Sequence, residues 1–278
     1  MPTIQNLKKK LQVILSTKKL TQAMKTTSTV KYSKLSALYS NYEKYEEHCN
    51  NMYYSYRKDF NSVFSVENPT SSVIYIVLSS NKGMCGSFNT ELFSFFEKIL
   101  KNEKNDSFVI CCGQKVKEHF ENKKIPYEEA YVFSDIPSYS DAQELFGKIK
   151  NLMESKRIPT VKIVYPEYQK IMLQCPVCED LFTFDENQSA GEEPLFIPDK
   201  QTVIANAAEK ILISILYKKI LETALGAQAA TLTTMRSAYD TACEYSAQLE
   251  TEINRKRQSQ VTADVIEVSS DYSMEGEV

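Results

Sequence analysis

The chain has 278 residues, 42% of them hydrophobic, and a formal net charge of −3, enough for one large domain or two small ones. That charge gives no general electrostatic basis for binding nucleic acid or an anionic membrane, and no apolar run approaches the roughly 20 residues that cross a bilayer. Seven cysteines, an odd number in a chain too long to need staples, point to a reducing compartment rather than a disulfide framework.

Glycine occurs only 7 times, well below its usual share of roughly 7%, so long helices are expected. Neither proline nor glycine lies between Pro2 and Pro69, and beyond Pro198 only Gly226 and Gly276 interrupt the chain. The sequence therefore divides into two unbroken ends around a punctuated middle, with expected segments 1–68, 69–198 and 199–278.

The first end carries Ile4, Leu7, Leu11 and Ile14 at helical spacing. The stripe then weakens through Lys18 and Thr21 before Met24, Lys31 and Leu35, and the stretch from Tyr39 to Tyr56 is rich in tyrosine and charge. In the middle, "VIYIVLSS" (73–80) reads as a buried strand, then a loop and a helix from Thr90 to Lys101. "SFVICC" (107–112) reads as a second strand ended by Gly113, followed by a helix over 114–123. "YVF" (131–133) reads as a short strand, and Asp141 is the expected N-cap of a helix reaching Ser155. "TVKIVYPEY" (160–168) reads as a further strand stopped by Pro166. Strands alternating with helices imply a mainly parallel sheet with right-handed crossovers. In the last end Leu225, Gln228, Leu232, Met235, Tyr239, Ala242, Ser246, Leu249 and Ile253 follow steps of three and four, a heptad seam. Two such ends suit an antiparallel helix pair. An α/β domain carrying two long terminal helices is expected, because an all-α bundle leaves the middle unexplained.

The chemistry-bearing motifs are weak. "NKGMCGS" (81–87) has neither the spacing of a Walker loop nor the third glycine of GxGxxG. "CPVC" (175–178) is half a zinc site at most, with His48 and His119 distant in sequence; ordinary thiols in a turn beside Pro176 are the simpler reading. Nothing local supports a Cys–His nucleophile pair, and no GxSxG occurs. The basic run "NRKRQSQVT" (254–262) ends the seam ahead of an acidic tail. It is either a solvated face or a contact surface for an acidic partner.

Three separated stretches resemble the γ subunits of F-type ATP synthases. "LTQAMKTTSTVKYSKL" (20–35) is similar to the family's N-terminal helix through Thr21, Ala23, Met24, Lys25 and Lys31. "SSNKGMCGSFNTELF" (79–93) resembles its Ser-Asp-Arg-Gly-Leu-Cys-Gly-Gly-Leu-Asn loop through Ser80, Gly83, Cys85, Gly86 and Asn89, with Lys82 for the arginine. "NRKRQSQVTADVIEVSS" (254–270) resembles the family's ending through Asn254, Arg257, Gln258, Val261, Thr262 and Glu267. Three departures stand out: Ala227 and Thr231 occupy positions where the family has Glu and Arg, and Thr241 replaces an Asn. "CPVC" lies in no insertion like the plastid regulatory one, so redox control is not inferred.

The resemblance implies a small Rossmann-like, mainly parallel sheet domain plus a long antiparallel coiled coil of the terminal helices. It implies a non-catalytic rotor shaft, without cofactor or metal. Its partners would be a ring of three α and three β subunits, a small ε/δ-type central-stalk subunit and the membrane c-ring, without direct insertion into the bilayer. Met24, Lys25, Lys82, Gly83, Cys85, Gly86, Asn89, Arg257, Gln258 and Thr262 match positions facing the catalytic ring, and Pro198 and Asp199 match the end near the membrane ring. The resemblance begins almost at Met1, leaving no room for a long cleavable leader. The matrix side of a mitochondrial inner membrane is the expected place, with the cytoplasmic side of a bacterial membrane as alternative. The competing reading is a static coiled-coil adaptor with an α/β domain.

Overall fold

The structure, a computed structural model, describes residues 3–55, 70–103, 105–181 and 199–275. The expected boundaries near 68 and 198 fall in 56–69 and 182–198, outside the described residues. The chain forms two compact units: one holds the residues up to Thr27 with those from Thr234 onward, the other runs Ser28–Thr233. Helices α1 (Ile4–Ser55) and α5 (Lys200–Glu275) contribute to both.

In the first unit the two helices run antiparallel. Lys18 and Lys25 place their ammonium groups 5.7 and 5.5 Å from the centre of the Tyr239 ring, while Val13 and Ile14, earlier on α1, line a groove with Tyr245, later on α5. The seam is the one that the heptad spacing marks. Leu7 and Thr21 are buried on α1, and Met235, Ala242, Ser246 and Leu249 on α5. Thr21 and Ser246 fit this dry strip because each hydroxyl donates back to its own helix, to the carbonyls of Lys18 and Cys243.

The second unit is built on a five-stranded sheet of order β3-β2-β1-β4-β5. Its strands are β1 (Val73–Leu78), β2 (Ser107–Cys112), β3 (Glu129–Tyr131), β4 (Thr160–Lys170) and β5 (Leu173–Asp180). β1 to β4 pair in parallel, and β5 adds antiparallel to β4. Between them lie α2 (Phe88–Asn102), α3 (Gln114–Lys123) and α4 (Tyr139–Lys156). All six residues of β1 are buried, as a central strand covered on both faces requires. Val73, Tyr75 and Val77 meet Leu92, Phe96, Val116 and Phe120 of α2 and α3. Ile74, Ile76 and Leu78 meet the other layer, with Phe146 and Ile149 of α4, Leu212 and Leu216 of α5, and Leu35 of α1. Tyr42 of α1 donates to the Ser214 hydroxyl at 2.7 Å, while the earlier Tyr39 lies under the ammonium of the later Lys218 at 6.0 Å, so α1 and α5 are antiparallel partners here too.

Sequence and structure differ at the sheet's edges. Strand β4 does not stop at Pro166; it continues to Lys170, with Pro166 directly opposite Pro176 of β5. Two prolines can face each other in an antiparallel ladder only at a non-hydrogen-bonded pair, because a bonded pair exchanges two N–H groups that neither residue has. Pro166 thus turns its missing donor toward β1, whose pairing with β4 has already ended at Val164. Two residues on, Tyr168 turns its N–H the same way, and the Glu222 carboxylate of α5 accepts it at 2.9 Å. The short strand predicted at 131–133 lies at Glu129–Tyr131. Asp141 is not the N-cap of α4. Ser138 is, and Asp141 reaches back to accept the Ser138 N–H at 2.7 Å, the reciprocal half of a capping box.

Glu222 is 4% exposed. Burial pushes its carboxyl pKa up, and the Tyr168 N–H and Lys219 offset this only in part. A pKa raised on folding stabilises the protein below the unfolded value, and that contribution is lost as pH rises through the folded value. Glu222→Gln keeps an acceptor for Tyr168 and cannot ionise. Urea titrations should find it more stable than the parent at pH 7, with the gain shrinking to nothing as pH falls below the ordinary glutamate range.

Candidate functional site

The loop between β1 and α2 is closed from within. Ser80 donates its hydroxyl to the Lys82 carbonyl at 2.7 Å and accepts the Asn89 amide at 2.7 Å; Asn89 Oδ1 accepts the Ser80 N–H at 3.2 Å. Asn89 Nδ2 also approaches Cys85 Sγ at 3.1 Å. Asn89 and Cys85 are 8% and 4% exposed, so they hold the loop's shape from inside. The surface belongs to Lys82, Gly83, Met84 and Gly86. Gly86 has φ 60, and Met84 adopts φ 64 without being glycine; this is a tight, fully specified turn. The space inside the loop that a phosphate would require is filled by Ser80, Cys85 and Asn89 side chains. The crevice beside it, lined by Asn81, Lys82, Asp135, Ile220, Gln228 and Thr231, has about 50 Å³, room for a few waters.

The start of the same loop caps a neighbouring helix. The first N–H groups of α3 are taken in turn by Asn81 Oδ1 (from Gln114, 3.2 Å), the Ser80 carbonyl (from Lys115, 3.2 Å) and Ser79 Oγ (from Val116, 3.0 Å). These are the donors that a helix start leaves unpaired. Asn81 also donates to the Phe133 carbonyl at 2.5 Å, fixing the chain that follows β3. Sequence reasoning missed this capping role, since Ser-Ser-Asn after a strand reads only as loop composition.

Fixing Phe133 places Asp135 beside Lys82. One oxygen, Asp135 Oδ2, receives Lys82 Nζ at 2.6 Å and Lys31 Nζ, from α1, at 2.5 Å. The side chains of Asp135 and Lys31 are 25% and 26% exposed, that of Lys82 71%. Burial alone would push the Asp135 carboxyl up; the two lysine hydrogen bonds outweigh it and hold the group below the ordinary aspartate value. The hydrogen bond to Asp135 correspondingly raises Lys82.

The remaining sequence-marked positions lie on the terminal helices. Met24 and Lys25 are half-buried, Lys25 against the Tyr239 ring. Arg257, Gln258 and Thr262 are exposed, as is every residue from Arg257 to Glu267. Asp199 caps α5, accepting the Thr202 N–H at 2.8 Å, and that bond holds its carboxyl below the ordinary value. Pro198 lies outside the described residues.

The Cys-Pro-Val-Cys thiols, the buried cysteines of β2 and the loop, and His119 sit in packing roles. "CPVC" is not a turn: Cys175 and Cys178 sit within β5, three residues apart and hence on opposite faces. Cys178 joins the α2/α3 layer, whereas Cys175 lies opposite Glu167, on the other face. Two thiols so divided cannot share a metal. All seven cysteines are free thiols. Burial pushes Cys111 up to about 12 and raises Cys112 and Cys85 as well. His119 stacks on Phe93 at 4.2 Å and pairs with Glu97 at 2.8 Å. Among the described residues no group of His, Cys, Asp and Glu could hold a metal, and no helix is long and apolar enough to cross a membrane.

The fold and its loops define a class: a doubly wound sheet covered on one face by antiparallel terminal helices and carrying a cationic turn after its central strand. The chain belongs to the ATP synthase family, whose model matches residues 3–273. It is 27% identical to the ATP synthase gamma chain of Rubrobacter xylanophilus over 97% of each chain, and 26% identical to that of Heliobacterium modesticaldum over 96% of this chain and 97% of the other. Its fold is that of a chain in the rotor of the Euglena gracilis mitochondrial ATP synthase (TM-score 0.66, 14% identity, 93% of this chain and 98% of that one). A chain of the central stalk and c-ring structure of the Tetrahymena thermophila enzyme is also similar (TM-score 0.59, 15% identity, 79% of this chain and 99% of that one).

Proposed function

We propose that this chain is the gamma-type central stalk of an F-type ATP synthase. It turns with a proton-driven membrane ring and forces catalytic β subunits through their conformational cycle. The observation that carries this reading is the end-to-end match to gamma chains, over 97% of both sequences in the first relative above. The antiparallel helix pair supports it, since a shaft needs two strands of one chain that resist bending together. In this reading the chain holds no catalytic group. Its thiols are buried or separated, its loop is filled, and its exposed cations suit acidic partner loops.

The contact surfaces toward the α and β ring are Lys82, Gly83 and Gly86 on the loop, supported by Cys85 and Asn89 beneath. On the helices they are Met24, Lys25, Arg257, Gln258 and Thr262. Asp199, with Pro198, marks the end toward the c-ring, and the small ε/δ-type subunit binds the α/β unit. The chain lies peripherally on the matrix face of a mitochondrial inner membrane. A bacterial membrane's cytoplasmic face is the second reading, favoured by the bacterial origin of the curated relatives.

Affinity recovery of the tagged native protein tests the proposal. Paired ATPase subunits should co-purify, and a bead attached to the chain should turn when ATP is added. Co-purification without ATP-driven rotation would leave a static adaptor instead, and recovery with no ATPase subunits would reject both ring contact and rotor.

A further inference from the structure

The Asp135 arrangement holds more lysine than it needs. One carboxylate neutralises one ammonium, yet two converge on a single oxygen, at 2.5 and 2.6 Å. Their unequal exposure separates their roles. Lys31 lies on the α1 stripe, 26% exposed, and is the counterion of a partly buried carboxylate. Lys82 is 71% exposed on a turn otherwise closed by its own hydrogen bonds. Without Lys31, drawing Lys82 outward would strand a partly buried carboxylate with no cation, a penalty that grows with burial. With Lys31 in place the carboxylate keeps a cation, and the exposed Lys82 exchanges one acidic partner for another.

We propose that Asp135 is a positioning residue that stores Lys82 in a fixed place and yields it to an acidic side chain of the surrounding ring, with Lys31 remaining behind as the permanent counterion. This rests on the reading of the loop as a ring contact. The Asp135 backbone is suited to the task because Asn81 anchors Phe133 two residues earlier. The group of three carries a net positive charge of one whether Lys82 is stored or lent, so an acidic partner meets attraction in both states. Asp135 also competes with that partner, which keeps the contact reversible.

The test is a double-mutant cycle in the assembled complex of this chain with its α and β subunits, read as ATP turnover at low and high salt. Asp135→Asn removes the competitor. It should strengthen the loop's hold on the ring and slow turnover by about two- to fivefold, the range an exposed ion pair supplies, with the effect fading in high salt. Lys82→Gln should change turnover in its own right, and Lys82→Gln with Asp135→Asn should match Lys82→Gln alone. Lys31→Gln with Asp135→Asn removes both partly buried charges, guards against a folding defect, and should behave as Asp135→Asn does. An Asp135→Asn effect of equal size in the parent and in the Lys82→Gln variant, or none in either, overturns the inference while Lys82→Gln still reports the loop contact. If Lys82→Gln is silent in a complex that assembles and hydrolyses ATP, the loop reading fails and the storage role falls with it.

Discussion

Gly113→Ala is expected to destabilise the α/β unit by about 3 kcal/mol or more. Gly113 has φ +110, and a Cβ there would stand 2.5 Å from the Ser79 carbonyl oxygen and 2.6 Å from its hydroxyl. Backbone strain and overlap therefore act together. The neighbouring bonds magnify both, because Gly113 N–H donates to the Tyr131 carbonyl at 2.7 Å and Ser79 Oγ caps Val116. Any shift that relieves the clash breaks the β2–β3 connection or the start of α3. Gly147→Ala is the control: nothing lies within 4 Å of its added Cβ, and in a helix interior the change should stabilise by up to about 1 kcal/mol. Urea denaturation of the three proteins checks the contrast. Equal midpoints for the parent and Gly113→Ala would show that the Ser79 approach is not tight.

The second large effect is functional. Replacing Arg257, Gln258 and Thr262 together with alanine should leave the unfolding free energy from urea titration within about 0.5 kcal/mol of the parent, since all three side chains are exposed. On the proposed reading of this end as a ring contact, the same variant should lose about ten- to a hundredfold in ATP turnover in the assembled complex, the range that truncating an interface arginine with its polar neighbours supplies. Turnover equal to the parent's would dismiss this end of α5 as a ring contact, whatever becomes of the loop.

How much of this was readable beforehand varied with the physics of each element. The seam from Leu225 to Ile253 was legible because helix period and burial act on the same residues; Leu225, Met235, Ala242, Ser246 and Leu249 are all buried. Helix α3 was found at its exact bounds, flanked by Gly113 and the left-handed Lys124. Strand β5 escaped notice because Cys175, Pro176 and Cys178 give no β-branched alternation, and proline is a breaker unless it faces away from the ladder. Pro166 misled for the same reason. Ser138 lost the N-cap to Asp141 in the reading because both are good caps, and only geometry tells the cap from the residue that returns to it. The loop's residues were marked as a group, without a division into Cys85 and Asn89, which hold it from inside, and Lys82, Gly83 and Gly86, which show. Asp135 carried no signal at all: its partners are 104 and 53 residues away in sequence, and only the topology of the sheet brings three segments to one oxygen.

The facing prolines govern more than the course of β4. The geometry that turns Pro166 toward β1 turns Pro176 away from β4, toward the edge where β5 ends the sheet and an unpaired strand would otherwise offer a regular row of donors. A gap in that row spoils the template on which stray polypeptide could lengthen the sheet. The sheet therefore ends on a strand ill-suited to pairing edge to edge with a second copy of the chain.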